Sequence, residues 1–413
     1  MNSIDHQLTD PAWFAANDPH SIWSRLRAED PVHWTEGKLP FGFWSLTKYE
    51  DMLTVLRDAV TFSSERGEGS VLPTSSEINT IDRQTAGFGE MLVSTDPPEH
   101  GPRRRSFTKV FLRSSIKRFE RQGRLLAGEI VDEVVPLGTC DFVDDVAVKM
   151  PMRFICALMG IPREDWGRML LLGNMSVNPE EPEYQQGRTP QETRLSAFQE
   201  LYDYCLRFAQ DRRRDPGDDL LSLMGTGIVD GKPLSDRVIG YNGILLIGAG
   251  FETTRNALAG GLLELIKSPA ESGRLRCQPS LIPTAVEEIL RWTSPLTNAM
   301  RMVTRDTEIR GQRICAGERV VIWLPLGNRD EEVFPDADRF DVGRTPNYHI
   351  AFGYGEHFCL GAHLARLEIR VLLDEILNRL PDILLNGEVE RICSNQLAGI
   401  KHMPIRFTPA SCQ

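Results

Sequence analysis

Residues 351–368 read AFGYGEHFCLGAHLARLE, and no other stretch constrains the chain as strongly. One cysteine, Cys359, lies among Gly353, Gly355 and Gly361, with a helical pattern directly behind it. Glycine allows backbone conformations and close approaches that a Cβ would forbid. After the cysteine, Leu364, Leu367, Val371, Leu372 and Leu380 keep near-helical spacing. A helix starting there aims unsatisfied N–H groups and a positive dipole end at the sulfur, so the thiolate is expected over the thiol. Such a sulfur serves as a nucleophile, a metal ligand or a haem ligand. A nucleophile wants a base, and His357 and His363 are close in sequence, but no oxyanion architecture is recognisable.

The remaining pattern is mostly helical. SIWSRLRAED (21–30), SAFQELYDYCLRFAQDRRRD (196–215) and PTAVEEILRW (283–292) are amphipathic at helical period. Strand-like patches are short: PVHWTEGKLPFGFWSLT near the start and ERVVIWLP (318–325) late. The polar stretch 178–192 reads as a surface excursion. Neither an internal repeat nor a linker separates two cores. The expected fold is mainly α: one large multihelical domain over residues 1–413 with small β-sheets.

Charge and cysteine usage exclude several classes. A net charge of −11 argues against a nucleic-acid binder. The eight cysteines stand singly, which disfavours zinc ribbons and thioredoxin-like chemistry. The longest notable apolar run, GILLIGAGF (243–251), is far short of the ~20 residues that cross a bilayer. A cytoplasmic protein without a membrane anchor is expected.

A second constellation lies in LLIGAGFETTRNALAGG (245–261). Gly248, Ala249 and Gly250 are expected to thin one face of a helix for something flat. Glu252, Thr253 and Thr254 follow, and the Thr253 hydroxyl can bond the Ala249 carbonyl four residues back and open the helix locally.

The stretch 352–361 resembles the haem-binding loop of the cytochrome P-450 family, with its aromatic residue, glycines, histidine and cysteine at matching positions. The resemblance runs from about residue 20 to the closing AGIKHMPIRF. It implies that Cys359 is the axial thiolate on the iron of haem b, seated in a loop that includes Phe352, Gly353 and Gly361. The haem is then expected between a central helix around 240–262 and the cysteine-loop helix at 352–380. Residues 249–254 match the family's Ala/Gly-Gly-x-Asp/Glu-Thr-Thr signature. That match implies that Thr253 hydrogen-bonds the oxygen molecule and that Glu252 relays protons from solvent. Glu288, Arg291 and Arg339 resemble a structural Glu-Arg-Arg triad. In STDPPEHGPRRRSFTKVF, Phe107, Val110 and Phe111 define an inward face shared by Arg103 and Arg104. The family pattern there picks out His100 and Arg104, and adds Arg301 and His357, as contacts to the haem propionates. By the same analogy Leu245, Gly248, Ala249 and Thr297 line the substrate pocket.

The activity implied is a haem-dependent monooxygenase. It would insert one atom of dioxygen, by hydroxylation or epoxidation, into a medium-sized hydrophobic molecule such as a terpenoid, steroid, lipid or secondary metabolite. Neither a flavin-binding fingerprint nor a four-cysteine cluster is present, so electrons are expected from a separate ferredoxin and ferredoxin reductase. Arg366 and Arg370 are expected to form a basic docking patch. The alternatives are oxidative coupling or peroxide-driven chemistry on the same fold, or a non-catalytic haem sensor.

Overall fold

The computed structural model describes residues 3–36, 41–67 and 87–410. Helices account for most of it, as the patterning predicts. The amphipathic segments form His20–Glu29, Pro190–Arg212 and Ile282–Thr293. The second begins at a capping box in which the Thr189 hydroxyl accepts from the Glu192 N–H and the Glu192 carboxylate accepts from the Thr189 N–H. That helix stops at Arg212, short of the expected residue 215.

A 32-residue central helix, Asp236–Lys267, crosses the molecule behind a Ser235 cap. Its glycines let other helices approach its backbone. A Cβ on Gly243 would stand 2.5 Å from the Cys205 side chain of Pro190–Arg212. The cysteine helix, Ala362–Arg379, packs against it, against Ile282–Thr293 and against Arg113–Val134.

The main sheet has five strands: β1 (Val32–Thr35), β2 (Phe43–Leu46), β3 (Phe62–Ser63), β4 (Asn298–Val303) and β5 (Arg319–Trp323), in the order β1-β2-β5-β4-β3. The β2–β5 pair is parallel and the others are antiparallel. Buried side chains gather in two clusters. One lies among the helices, around residues such as Phe154, Phe251 and Leu372; the other lies beneath the sheet, around Phe43, Val321 and Trp323.

The stretch 178–192 is less open than the sequence reading expects. It contains a short helix, Pro182–Gln185, and Glu181 is buried against Lys401 at 2.8 Å. By sequence, GSVLPTSSEINTIDRQTAGFGEM (69–91) is a candidate flap over the pocket, and of it only residues 87–91 lie inside the described residues. Among the described residues, no helix is long and apolar enough to cross a membrane.

Candidate active site

The cysteine loop is built by glycine geometry. Gly353 and Gly355 adopt φ of +68° and +69°, and a Cβ on Gly355 would collide with the Leu56 carbonyl oxygen. The loop closes through the Cys359 N–H, which donates to Phe352 O at 2.9 Å. Gly361 caps the cysteine helix, and its N–H reaches the sulfur. Burial pushes the Cys359 thiol up, against that N–H and the charges of Arg104 and Arg366. The expectation that the helix start alone favours thiolate is therefore corrected: desolvation outweighs it, and a cation bonded to the sulfur would reverse the balance.

Cys359 opens onto a cavity between the helical and sheet clusters. Phe107, Ile155 and Ala257 line it from the helical side, and Leu56, Ala299 and Ile322 from the sheet side. The central helix contributes Leu245, Leu246, Ala249, Gly250, Thr253 and Thr254.

The same cavity collects His100, Arg104, Arg301 and His357, together with Phe352 and Gly353. The two imidazole rings lie 4.3 Å apart, and Arg104 Nη2 donates to Phe358 O at 2.6 Å. His100 is buried, and its Nε2 has no hydrogen-bond partner. Burial, then the Arg104 charge, pushes the His100 imidazole down to about 4. Burial, then Arg301, His100 and Arg104, pushes His357 down to about 2. Burial alone lowers Arg301 to about 10, with Asp96 opposing. Cationic groups crowded and desolvated in this way call for anions, and two carboxylates fit the set.

Three pocket expectations need adjustment. Gly248 does not line the cavity: a Cβ there would meet Val177 at 3.2 Å, whereas one on Gly250 would meet Ile155. Helix residues two apart point to nearly opposite sides, so the two glycines cannot thin one face together. Thr297 is turned away as well: its hydroxyl donates to Asn395 O, while Pro295 and Leu296 face the cavity instead. Thr253 donates to Ala249 O at 3.1 Å as expected, yet the helix continues through that turn without a break.

Glu252 is turned away from the cavity. It is buried, absent from the cavity lining, and ion-paired with Arg255 at 2.5 Å. On the cysteine helix, Glu368 is a residue the sequence reading missed. It faces the cavity fully buried, its Oε2 has no partner, and burial raises its carboxyl well above the usual range. The signal for it was an acid one residue beyond Leu367, on the apolar face of the helix.

The triad is real but differently composed. Arg291 Nε and Nη2 each donate to Glu288 at 2.8 Å, with both side chains fully buried. The second arginine on Glu288 is Arg344, whose Nε lies 3.2 Å and 3.1 Å from the two carboxylate oxygens. Arg339 offers only its backbone carbonyl, to Arg291 and Arg344, and its side chain is exposed. The chain turns between the two positions, so the one that reaches inward is five residues later.

The expected docking cations are also engaged. Arg366 forms a two-pronged pair with Glu287 at 2.7 and 2.8 Å and lies 4.5 Å over the Phe352 ring. Arg370 pairs with Glu120 at 3.1 Å. Glu287 also accepts from His349 at 3.1 Å. Burial pushes the Glu287 carboxyl up, but hydrogen bonds from His349 and Arg366 and their charges hold it down at about 2. A depressed carboxyl contributes stability above its unfolded value of 4.5 and loses it as pH falls toward about 2. In acid unfolding curves, Glu287→Gln is expected to lower stability at neutral pH and to flatten the decline over that window.

Comparison with known proteins settles the family. The family model for cytochrome P450 matches residues 280–400. The chain is 32% identical to linalool 8-monooxygenase of Pseudomonas putida, over 97% of this chain and 98% of that protein. It is 36% identical to a methyl-branched lipid omega-hydroxylase of Mycobacterium tuberculosis, covering 94% and 90%. The chain belongs to the cytochrome P450 family. A solved structure, Mycobacterium marinum cytochrome P450 CYP268A2 in complex with pseudoionone, superposes with a TM-score of 0.89 at 34% identity, covering 98% and 99%. The multihelical fold with small sheets is that of the family, and the activity class is the monooxygenase, with haem b as cofactor.

Proposed function

We propose that this P450 holds haem through Cys359 and hydroxylates or epoxidises a medium-sized, uncharged hydrophobic molecule with electrons from a separate ferredoxin. The carrying observation is the cavity that joins the Cys359 loop, the basic cluster and the Thr253 turn of the central helix.

Haem, when bound, supplies the dioxygen-activating chemistry. The chain's own part is positioning. Cys359 ligates the iron, while His100, Arg104, Arg301 and His357 neutralise the two propionates. Phe352, Gly353 and Gly361 keep the loop close to the macrocycle. Leu92, Val93, Leu245, Leu246, Ala249, Leu296 and Ala299 present an apolar wall that excludes water and holds substrate by surface burial. The Thr253 hydroxyl donates its proton to Ala249 O, which leaves its lone pairs able to hold a proton-bearing partner at the cavity. The substrates for which two relatives are named, linalool and a methyl-branched lipid, and the pseudoionone bound in the solved structure share that apolar character.

The test is turnover under isotopically labelled dioxygen with linalool, pseudoionone, a steroid and a methyl-branched lipid as candidates. One labelled oxygen atom in the product supports the reading. Product formed only with added peroxide, without label from dioxygen, overturns it.

Electron delivery gives a separate prediction. Below the cysteine helix a groove is lined by Arg113, Lys117, His363, Arg366 and Arg370. With Arg366 and Arg370 held by Glu287 and Glu120, the exposed Arg113 and Lys117 become the docking cations for an acidic ferredoxin. The exposed Leu112 and Phe358 add apolar surface near these residues. Arg113→Glu with Lys117→Glu is expected to slow reduction roughly tenfold at low salt, and the difference should shrink as salt rises. Stopped-flow reduction measures it, and equal rates at low salt would remove the assignment.

A further inference from the structure

Glu252 has its back to the cavity, and the groups behind it lead to the surface. Its Oε1 accepts from Arg255 and, at 3.3 Å, from Asn256 Nδ2. Glu252 Oε2, Arg255 Nε and Asn256 Oδ1 are all buried without partners. Glu252 and Arg255 are 1% and 3% exposed. Three orphaned polar atoms from consecutive turns of one helix mark a place that ordered water completes.

On this side the central helix packs against a π-helical turn, Val143–Ala147, and the strand Ile400–His402. Turns of that type recur at functional sites. The elements bring a cluster together at the surface: His402 Nδ1 lies 2.9 Å from Asp141 and 3.5 Å from Asp144, and its Nε2 lies 4.0 Å from Glu183. Asp144 keeps 54% of its side chain exposed, so solvent reaches it. Lys401 is taken up by Glu181 and Glu183. The Arg255 charge acts outward on both Asp144 and Tyr184 while its guanidinium grips Glu252 inward. Burial, then the Asp141 and Glu183 charges, raises the Asp144 carboxyl despite His402 and Arg255, which makes it a readier proton acceptor.

We propose that the Asp141–Asp144–His402 cluster is the surface mouth of the proton supply, and that Arg255 is the positioning residue that joins it to Glu252. The inference rests on the monooxygenase reading and names where its protons enter. Dioxygen, a substrate C–H bond, two electrons from ferredoxin and two protons give an alcohol and water. Both protons must cross from solvent to a cavity whose walls are apolar. His402 and Asp144 collect them. Water at the orphaned atoms carries them past the guanidinium, and Glu252 hands them toward Thr253.

The test uses the haem-loaded protein with reduced ferredoxin and linalool, and reads dioxygen consumption in light and heavy water. The double variant Asp144→Asn with His402→Gln changes one exposed and one half-buried side chain, and its haem content and circular dichroism are expected to match the wild type. It is expected to slow consumption on the order of tenfold and to enlarge the solvent isotope effect, because the proton step becomes limiting. The haem-free protein gives a second readout. Arg255→Leu leaves Glu252 buried without a counter-charge, so a protonated-carboxyl infrared band should appear and vanish on adding Glu252→Gln. Wild-type consumption and isotope effect in the double variant overturn the proposal. A wild-type protein that incorporates no labelled dioxygen overturns the monooxygenase reading instead, and the infrared result stands apart from that outcome.

Discussion

Cys359→Ser is expected to abolish the long-wavelength Soret band of the reduced, carbon monoxide-treated protein and to lower turnover by about 1,000-fold or more, near 4 kcal/mol of barrier. Serine keeps the shape of the loop, because the closing bond from the residue-359 N–H to Phe352 O is a backbone bond. It removes the thiolate, whose electron donation favours O–O cleavage. The basic cluster of His100, Arg104, Arg301 and His357 is untouched, so haem should still bind, and its content separates lost ligation from lost cofactor. A wild-type spectrum in the variant would show that another residue ligates the iron.

Arg291→Leu is expected to destabilise the protein by about 3–5 kcal/mol, read as a shift in the urea midpoint. The guanidinium carries more than its pair with Glu288. Arg291 Nη1 also donates to Asn328 O and Ala337 O, each at 2.8 Å, so the variant strands carbonyls as well as a buried carboxylate. Its charge lies 5.5 Å over the Phe334 ring in the sheet-side cluster, while neighbouring Ile289 and Leu290 pack in the helical one. Arg291 thus ties together the two bodies of apolar side chains that enclose the cavity. The corrected triad makes a sharper contrast. Arg344→Ala should cost a large fraction of the Arg291 effect, because its partner Glu288 is buried. Arg339→Ala should stay within about 0.5 kcal/mol, as an exposed side chain. The reverse ranking would return Arg339 to the triad.

The parts of the site that were legible are those whose chemistry is written in consecutive residues. The cysteine loop needs positive φ at Gly353 and Gly355, a cap at Gly361 and an apolar face behind it, and all of these lie within one local stretch. The basic cluster was also recoverable, although it joins residues from 100 to 357, because each member sits in a recognisable segment of the resemblance. Two pocket residues given by analogy fell elsewhere for local reasons. A helix turns about 100° per residue, so Gly248 faces Val177, and Thr297, just ahead of β4, turns its hydroxyl to Asn395. The docking arginines were misjudged for a non-local reason: Glu287 and Glu120 come from other helices, and spacing along the cysteine helix cannot reveal them.

The sequence alone determined a mainly helical haem-thiolate chain, because turn conformation, helix caps and apolar periodicity act over a few residues and leave local marks. Only the tertiary structure decided which arginine reaches Glu288, which way Glu252 faces and which cations remain for a partner. Those outcomes depend on desolvated charges finding counter-charges across the fold, and that pairing is settled when distant segments pack together.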